Sequence, residues 1–263
     1  MKPNAPTKLS LPVVDDRTPP VEVVPPTVRP TATPNPHRPS VTEGDPFNPN
    51  KILNHYERLR DFVAGENVYP ITVEIDPINV CNHRCGWCVS SASHTGEKLS
   101  LTRFRELIDE VTQRDARSVV IKGGGEPTVH PEINQMFQYL GEKQIPFGLI
   151  TNGSMPRRDT ADAVLEFAEW ARVSMDAASA ATHQAIHGTK DFSRIICNIQ
   201  HLTSHSTRTL IGMNFVAEPR NAMEIEPFAR LGRDLGVAYV SIRCVFDPAN
   251  PLPHRMRQIM REQ

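Results

Sequence analysis

The chain has 263 residues, of which 39% are hydrophobic, enough for one sizeable core or two small ones. Lys plus Arg number 29 against 30 Asp plus Glu, a formal net charge of −1, which gives no general pull toward nucleic acid or an anionic membrane. No run reaches the roughly 18–20 apolar residues of a spanning helix, and residues 1–16 lack the apolar centre of a signal peptide, so a cytoplasmic protein with neither nucleic acid nor membrane as partner is expected.

Thirteen of the 24 prolines lie in the first 50 positions, which hold a single glycine. Proline at that density interrupts helices and most strands, so residues 1–48 are read as a disordered Pro-rich tail. Residues 49–69 form a lead-in helix and linker, with Ile52–Phe62 as the helical part. Residues 70–250 then alternate strand-like and helix-like segments, and residues 251–263 are read as a C-terminal helix or a truncated end.

The first strand is Tyr69–Ile78, by apolar/polar alternation. Leu101, Phe104, Leu107, Ile108 and Val111 recur at helical spacing after Ser100, a predicted N-cap. A buried strand at Ser118–Ile121 runs into three glycines. Helices at Pro131–Lys143 and Asp159–Glu169 alternate with strands at Phe147–Thr151 and Ala171–Met175. Phe192, Ile195, Ile196, Ile199 and Leu202 mark another helix, followed by a strand at Thr209–Val216. Asn221 opens a helix with Glu224 in capping-box position, and Val237–Phe246 is the last strand. Alternation of this kind predicts an α/β fold with a parallel sheet. A closed eight-unit barrel takes about 250 residues, so six strands fit a partial, open (β/α)6 barrel whose last unit has only Pro253–Gln263 for a helix.

Five cysteines are too few for a disulfide scaffold, but Cys81, Cys85 and Cys88 fall within eight residues, directly after the first strand. Three thiolates on one loop can face a common centre of zinc or of an iron–sulfur cluster. Zinc would take His83 or His94 as its fourth ligand. A 4Fe–4S cluster would keep one iron open. A non-catalytic zinc-binding protein is the rival from another class, and it leaves Glu126 after three glycines unexplained.

The CxxxCxxC spacing, with Trp87 just before the third cysteine, resembles the radical SAM superfamily. Gly123-Gly124-Gly125-Glu126-Pro127 at the second strand end resembles its GGEP motif. Thr151-Asn152-Gly153 ends the third strand, and Ser174-Met175-Asp176 ends the fourth, followed by Thr182-His183 and Ile186-His187-Gly188. These resemble the branch with molybdenum-cofactor and peptide-modifying members. The resemblance implies that Cys81, Cys85 and Cys88 ligate one 4Fe–4S cluster, whose fourth iron chelates S-adenosylmethionine. Reduction of the cluster breaks a carbon–sulfur bond, and the 5′-deoxyadenosyl radical removes a hydrogen atom from substrate. Trp87, Gly124, Gly125, Glu126, Asn152 and Ser174 are the expected S-adenosylmethionine-binding residues, the Glu126 carboxylate meeting the cationic amino group. Where relatives often have Arg in the I-R-G segment this chain has His187, read as a surface residue, with Arg172 or Arg194 as substitutes. The resemblance also implies a low-potential electron donor, flavodoxin or ferredoxin.

Strand alternation assigns Glu74, Asp76, Lys122, Arg172, Ser174, Asp176, Asn214, Tyr239 and Arg243 to the lumen, and Ala238, Val240, Ile242 and Cys244 to the helix side. That parity argues against Cys244 as a catalytic hydrogen donor. Cys197 is read as a core thiol. The polar lumen favours a sugar- or aminocyclitol-like small molecule. Peptide modification is the alternative, disfavoured because no segment looks like a peptide-recognition domain.

Overall fold

The computed structural model describes residues 49–91 and 94–245. The expected tail at 1–48, the end at 251–263 and Phe246 lie outside the described residues. Six strands form one sheet in sequential order, every neighbouring pair parallel: β1 Thr72–Ile75, β2 Ser118–Ile121, β3 Phe147–Thr151, β4 Trp170–Ser174, β5 Leu210–Ala217 and β6 Tyr239–Cys244. The helices are α1 Tyr56–Val63, α2 Leu101–Gln113, α3 Ile133–Glu142, α4 Arg158–Phe167, α5 Ala180–His187, α6 Phe192–His205 and α7 Ile225–Asp234. This is the α/β alternation expected of an open six-strand barrel. No described helix is long and apolar enough to cross a membrane.

β1 is shorter than expected because Pro70 and Pro77, flanking it, have no N–H to give a ladder. Ser100 caps α2 as expected, its hydroxyl accepting from Arg103 N at 3.2 Å. The capping box at Asn221 does not form. Asn221 instead uses its amide to bond Asp176 O and Val216 O, and the Glu224 carboxylate reaches across to the start of α5. There it accepts from Ala178 N, Ser179 Oγ and Thr182 Oγ1 at 2.6–2.7 Å. α5 itself is an element the apolar periodicity does not announce, since only His183, Ile186 and His187 of its eight residues are buried.

The core lies between sheet and helices. One cluster joins Phe104, Ile108, Met136, Phe137, Phe147 and Leu149. The second joins Val173, Met175, Ile195, Ile199, Phe215 and Phe228. Cys197 is exposed, correcting the core reading, because the buried face of α6 is Ile195, Ile199 and Leu202, and a residue two along from Ile195 points the other way. Ile242 and Ala238 are also exposed, although their parity is that of the helix side. β6 is the sheet edge, and α7 covers Val240, against which Gly232 packs too tightly to carry a Cβ.

Candidate active site

The strand ends bring the sequence motifs together. The cysteine loop follows β1 and is held from two sides. On one side Asn82, inside the CxxxC spacing, donates to Ser154 Oγ at 2.7 Å and accepts from Asn152 Nδ2 at 2.8 Å, which ties the loop to the end of β3. On the other, Arg84 N donates to His187 O at 2.8 Å and Gly86 N to Ile186 O at 3.4 Å, which ties it to the last turn of α5. Gly188 ends that helix with φ +68°, and a Cβ there would lie 3.2 Å from Arg84 Cβ.

The three thiols sit close enough to feel one another's charge. Burial pushes the Cys81 thiol up to about 11, with the Glu126 and Cys88 charges adding to it. Burial likewise pushes Cys85 up to about 12, with Cys81, Asp176 and Cys88 adding. A set of thiols that resists ionising alone is one that a cationic centre would stabilise as thiolates.

The glycine turn packs directly on the same loop. Glu126 N donates to Val80 O at 2.8 Å, and a Cβ on Gly125 would fall 2.3 Å from that oxygen. Asp76 accepts from Gly124 N at 2.7 Å, and a Cβ on Gly123 would fall 2.2 Å from its Oδ1. So Asp76, expected to line the lumen, braces the turn instead. His94 donates from Nε2 to Gly124 O at 2.7 Å, so that nitrogen is engaged by the turn and not turned to the thiols. A cleft of about 430 Å3 opens beside Asp76, Ser90 and Gly124.

The Glu126 side chain does not line this cleft. It is 3% exposed, and its carboxylate accepts four bonds. Oε1 takes Thr128 N, Thr128 Oγ1 and Thr151 Oγ1 at 3.0, 2.7 and 2.6 Å, and Oε2 takes Asn152 N at 2.6 Å. The carboxylate thus clamps the β2 and β3 ends together, with Oε2 taking a single bond.

His187 is not at the surface. It is 2% exposed, with Nδ1 3.1 Å from Cys85 Sγ and Nε2 3.1 Å from Asp176 Oδ2. Burial lowers its pKa against the pull of Asp176. Asp176, at φ +55°, is also buried, its Oδ1 accepting from Val216 N at 2.6 Å, so it is not a lumen residue. Trp87 is half-buried, its ring edge-on to His187 with centroids 6.2 Å apart. Arg194 is exposed on α6, whereas Arg172 stands half-buried on the lumen face of β4.

Register places Arg172, Gly212 and Tyr239 in one row across β4, β5 and β6, with Ser174, Asn214 and Ser241 in the next row. Gly212 leaves room for the Tyr239 ring, which a Cβ would meet at 2.1 Å, and Gly148 does the same for Trp170 at 1.9 Å. Burial lowers the Arg172 pKa and Arg243 adds to this, with Tyr239 and Glu74 opposing. Lys122 pairs with Glu74 at 2.5 Å. Arg172 Nε and Asn214 Oδ1 are buried without a hydrogen-bond partner among the described residues. Cys244 pairs in register with Ala217, which is buried in the helix-side cluster, as the alternation argument expects. Sequence reasoning missed Asn82 and Ser154. Asn82 had a signal, a polar residue between two cysteines, whereas nothing local marks Ser154.

A family model described as the Radical SAM superfamily matches residues 75–231. The mycofactocin maturase MftC of Mycobacterium tuberculosis is 28% identical over 189 residues, covering 71% of this chain and 46% of that protein. The subtilosin biosynthesis protein AlbA of Bacillus subtilis is 24% identical over 203 residues, covering 75% and 45%. Streptococcus suis SuiB, solved with its precursor peptide SuiA, superposes with a TM-score of 0.65 at 14% identity, covering 81% of this chain and 50% of that one. The chain thus spans about half the length of these relatives. With the cysteine loop, the glycine turn and the family match in agreement, the chain belongs to the radical SAM superfamily, enzymes that use a 4Fe–4S cluster and S-adenosylmethionine.

Proposed function

We propose that Cys81, Cys85 and Cys88 hold the 4Fe–4S cluster and that the chain abstracts a hydrogen atom from a peptide substrate. The observation that carries the first part is the clamping of one three-thiol loop between the β3 end and α5, with the glycine turn seated on it. The donor set fits the group, because buried, mutually repelling thiols favour a cationic centre. The glycine turn fits the amino acid end of S-adenosylmethionine, since Gly124 and Gly125 admit close backbone approach. When bound, the pair supplies a carbon radical able to remove hydrogen from an unactivated C–H bond.

The chain's own residues do the rest. Glu126 fixes the spacing of the β2 and β3 ends. Asn152 orients the cysteine loop through Asn82. Ser174, Asn214 and Arg172 offer hydrogen bonds on the lumen face, where two of their atoms have none from the protein among the described residues. Trp170 and Tyr239 pack over Gly148 and Gly212 at the start of β4 and β6. A low-potential flavodoxin or ferredoxin would deliver the electron, and a reducing, cytoplasmic setting suits the thiols.

The peptide reading replaces the small-molecule preference drawn from the polar lumen. One relative is named a mycofactocin maturase and another a bacteriocin biosynthesis protein, and SuiB is solved with a precursor peptide. The missing recognition segment carries no weight in a chain that spans half of its relatives. Reconstituted protein given S-adenosylmethionine, reductant and peptides deuterated at aliphatic carbons should yield 5′-deoxyadenosine carrying deuterium. Transfer only from deuterated sugars or nucleotides would return the substrate class to small molecules.

A further inference from the structure

The charges on the lumen face of the sheet do not balance. The carboxylates along it are engaged: Glu74 pairs with Lys122 at 2.5 Å, and Asp76 accepts from Gly124 N at 2.7 Å. Asp176, past the end of β4, accepts from Val216 N at 2.6 Å and lies 3.1 Å from His187 Nε2. Neither Arg172 on β4 nor Arg243 on β6 has an ion pair among the described residues.

Register sets these two arginines on one face. Arg172 pairs with Gly212 and Gly212 with Tyr239, while Arg243 pairs with Val216. A pleat of period two keeps Gly212, Asn214 and Val216 opposite Met213, Phe215 and Ala217, which are buried in the helix-side cluster. Arg172 is half-buried within the sheet, and Arg243 is exposed near its rim. The Tyr239 ring lies over Gly212, its Cζ 2.1 Å from where a Cβ would stand, so its hydroxyl end reaches over β5 beside Arg172. Burial and then the Arg243 charge lower the Arg172 pKa, whereas burial raises that of Tyr239 against both arginines. Two guanidiniums this close repel each other until an anion joins them. Arg172 Nε is buried with no hydrogen-bond partner among the described residues. That N–H is half of the guanidinium edge that grips a carboxylate through both oxygens.

We propose that Arg172 and Arg243 form a carboxylate subsite in the lumen, which seats an acidic side chain or the free C-terminus of the peptide substrate. The subsite presupposes the peptide reading above. Its anion is distinct from the carboxylate of S-adenosylmethionine. Arg172 lies two residues, roughly 6.6 Å, inside the sheet from Ser174, the last residue of β4. The cysteine loop and the glycine turn instead lie beyond the ends of β1 and β2.

The test is equilibrium binding to the full chain, anaerobically reconstituted, unreduced and saturated with S-adenosylmethionine, read by fluorescence anisotropy. The probes are pentapeptide pools, random in neutral residues outside the centre and carrying a neutral fluorophore. One pool has a central Gln and an amidated C-terminus, one a central Glu and an amidated C-terminus, and one a central Gln and a free C-terminus. Wild type should bind an acidic pool about tenfold more tightly than the neutral one, and added salt should shrink the difference. A preference for the Glu pool identifies a side chain as the anion, and a preference for the free-acid pool identifies the C-terminus. Arg172→Met and Arg243→Met should each bring the acidic pool close to the neutral level, with S-adenosylmethionine affinity unchanged. Arg243 is exposed, so its variant carries the test should Arg172→Met not fold. Equal binding of all three pools by wild type, or an acidic preference that survives both substitutions, would overturn the subsite. So would weakened S-adenosylmethionine binding in Arg172→Met with the acidic preference intact, which would assign that arginine to the cofactor. If no pool binds, the peptide reading fails instead, and calorimetric titration with glucuronate and glucose decides the subsite. Equal binding of the two sugars overturns it, and a glucuronate preference lost in the arginine variants supports it.

Discussion

Two sets of polar groups on the open sheet, one at the ends of β1–β3 and one on β4 and β5, differ in how they are met. At the ends of β1–β3, the Glu126 carboxylate is met by four donors, and Asn82, Asn152 and Ser154 bond to one another. On β4 and β5, Arg172 Nε and Asn214 Oδ1 are buried with no partner among the described residues. A satisfied network holds a shape, whereas a buried orphan costs free energy until a ligand or water meets it. The first side therefore reads as the cradle that fixes the cysteine loop, and the second as the surface that receives what the enzyme binds.

The largest effect should come from the loop itself. Cys81→Ala, Cys85→Ala or Cys88→Ala should each reduce iron from about four per chain to near zero, measured by colorimetric iron assay after anaerobic reconstitution. Retention of full iron in any of them would remove that cysteine from the ligand set. Next comes the clamp. Glu126→Ala leaves buried donors from Thr128, Thr151 and Asn152 unmet and should cost about 3 kcal/mol in denaturant unfolding. If stability is unchanged and only S-adenosylmethionine affinity falls, Glu126 belongs to the receiving side after all.

Arg172→Met should behave in the reverse manner. Removing a guanidinium whose buried Nε has no hydrogen-bond partner among the described residues should leave stability within about 1 kcal/mol of wild type, or raise it. Turnover should nevertheless drop at least tenfold. A large stability loss with normal turnover would make Arg172 part of the scaffold. The smallest effect concerns His130, on the cradle side, whose Nε2 donates to Leu99 O at 2.9 Å and whose Nδ1 accepts from Glu132 N at 3.1 Å. Burial lowers its pKa, with the Leu99 carbonyl opposing. The unfolded chain therefore takes up the proton first as pH falls below about 6.5. Its contribution is full above that pH and is lost as the pH drops toward the depressed folded value. His130→Gln should flatten the stability profile as pH falls below about 6.5, relative to wild type.

Much of the cradle was legible in the sequence. The cysteine spacing, the glycines and the six strand–helix units each depend on local pattern, and local pattern is what a sequence displays. Strand parity also placed Arg172, Ser174 and Asn214 on one face, because a pleat of period two leaves little choice. What escaped reading depends on long-range contacts. Glu126 turns inward because the β3 end, 25 residues later, presents two donors to it. His187 is buried because α5, an element with little apolar periodicity, folds over the cysteine loop. Cys197 was misplaced by one helical face, an error that a two-residue offset is enough to cause.

The most direct measurement is the formation of 5′-deoxyadenosine and methionine from S-adenosylmethionine by the anaerobically reconstituted, dithionite-reduced chain. The three-thiol loop seated against the glycine turn predicts that wild type forms both products and that Cys85→Ala forms neither. An iron-loaded wild-type chain that leaves S-adenosylmethionine intact, or a colourless chain holding one zinc, would contradict it.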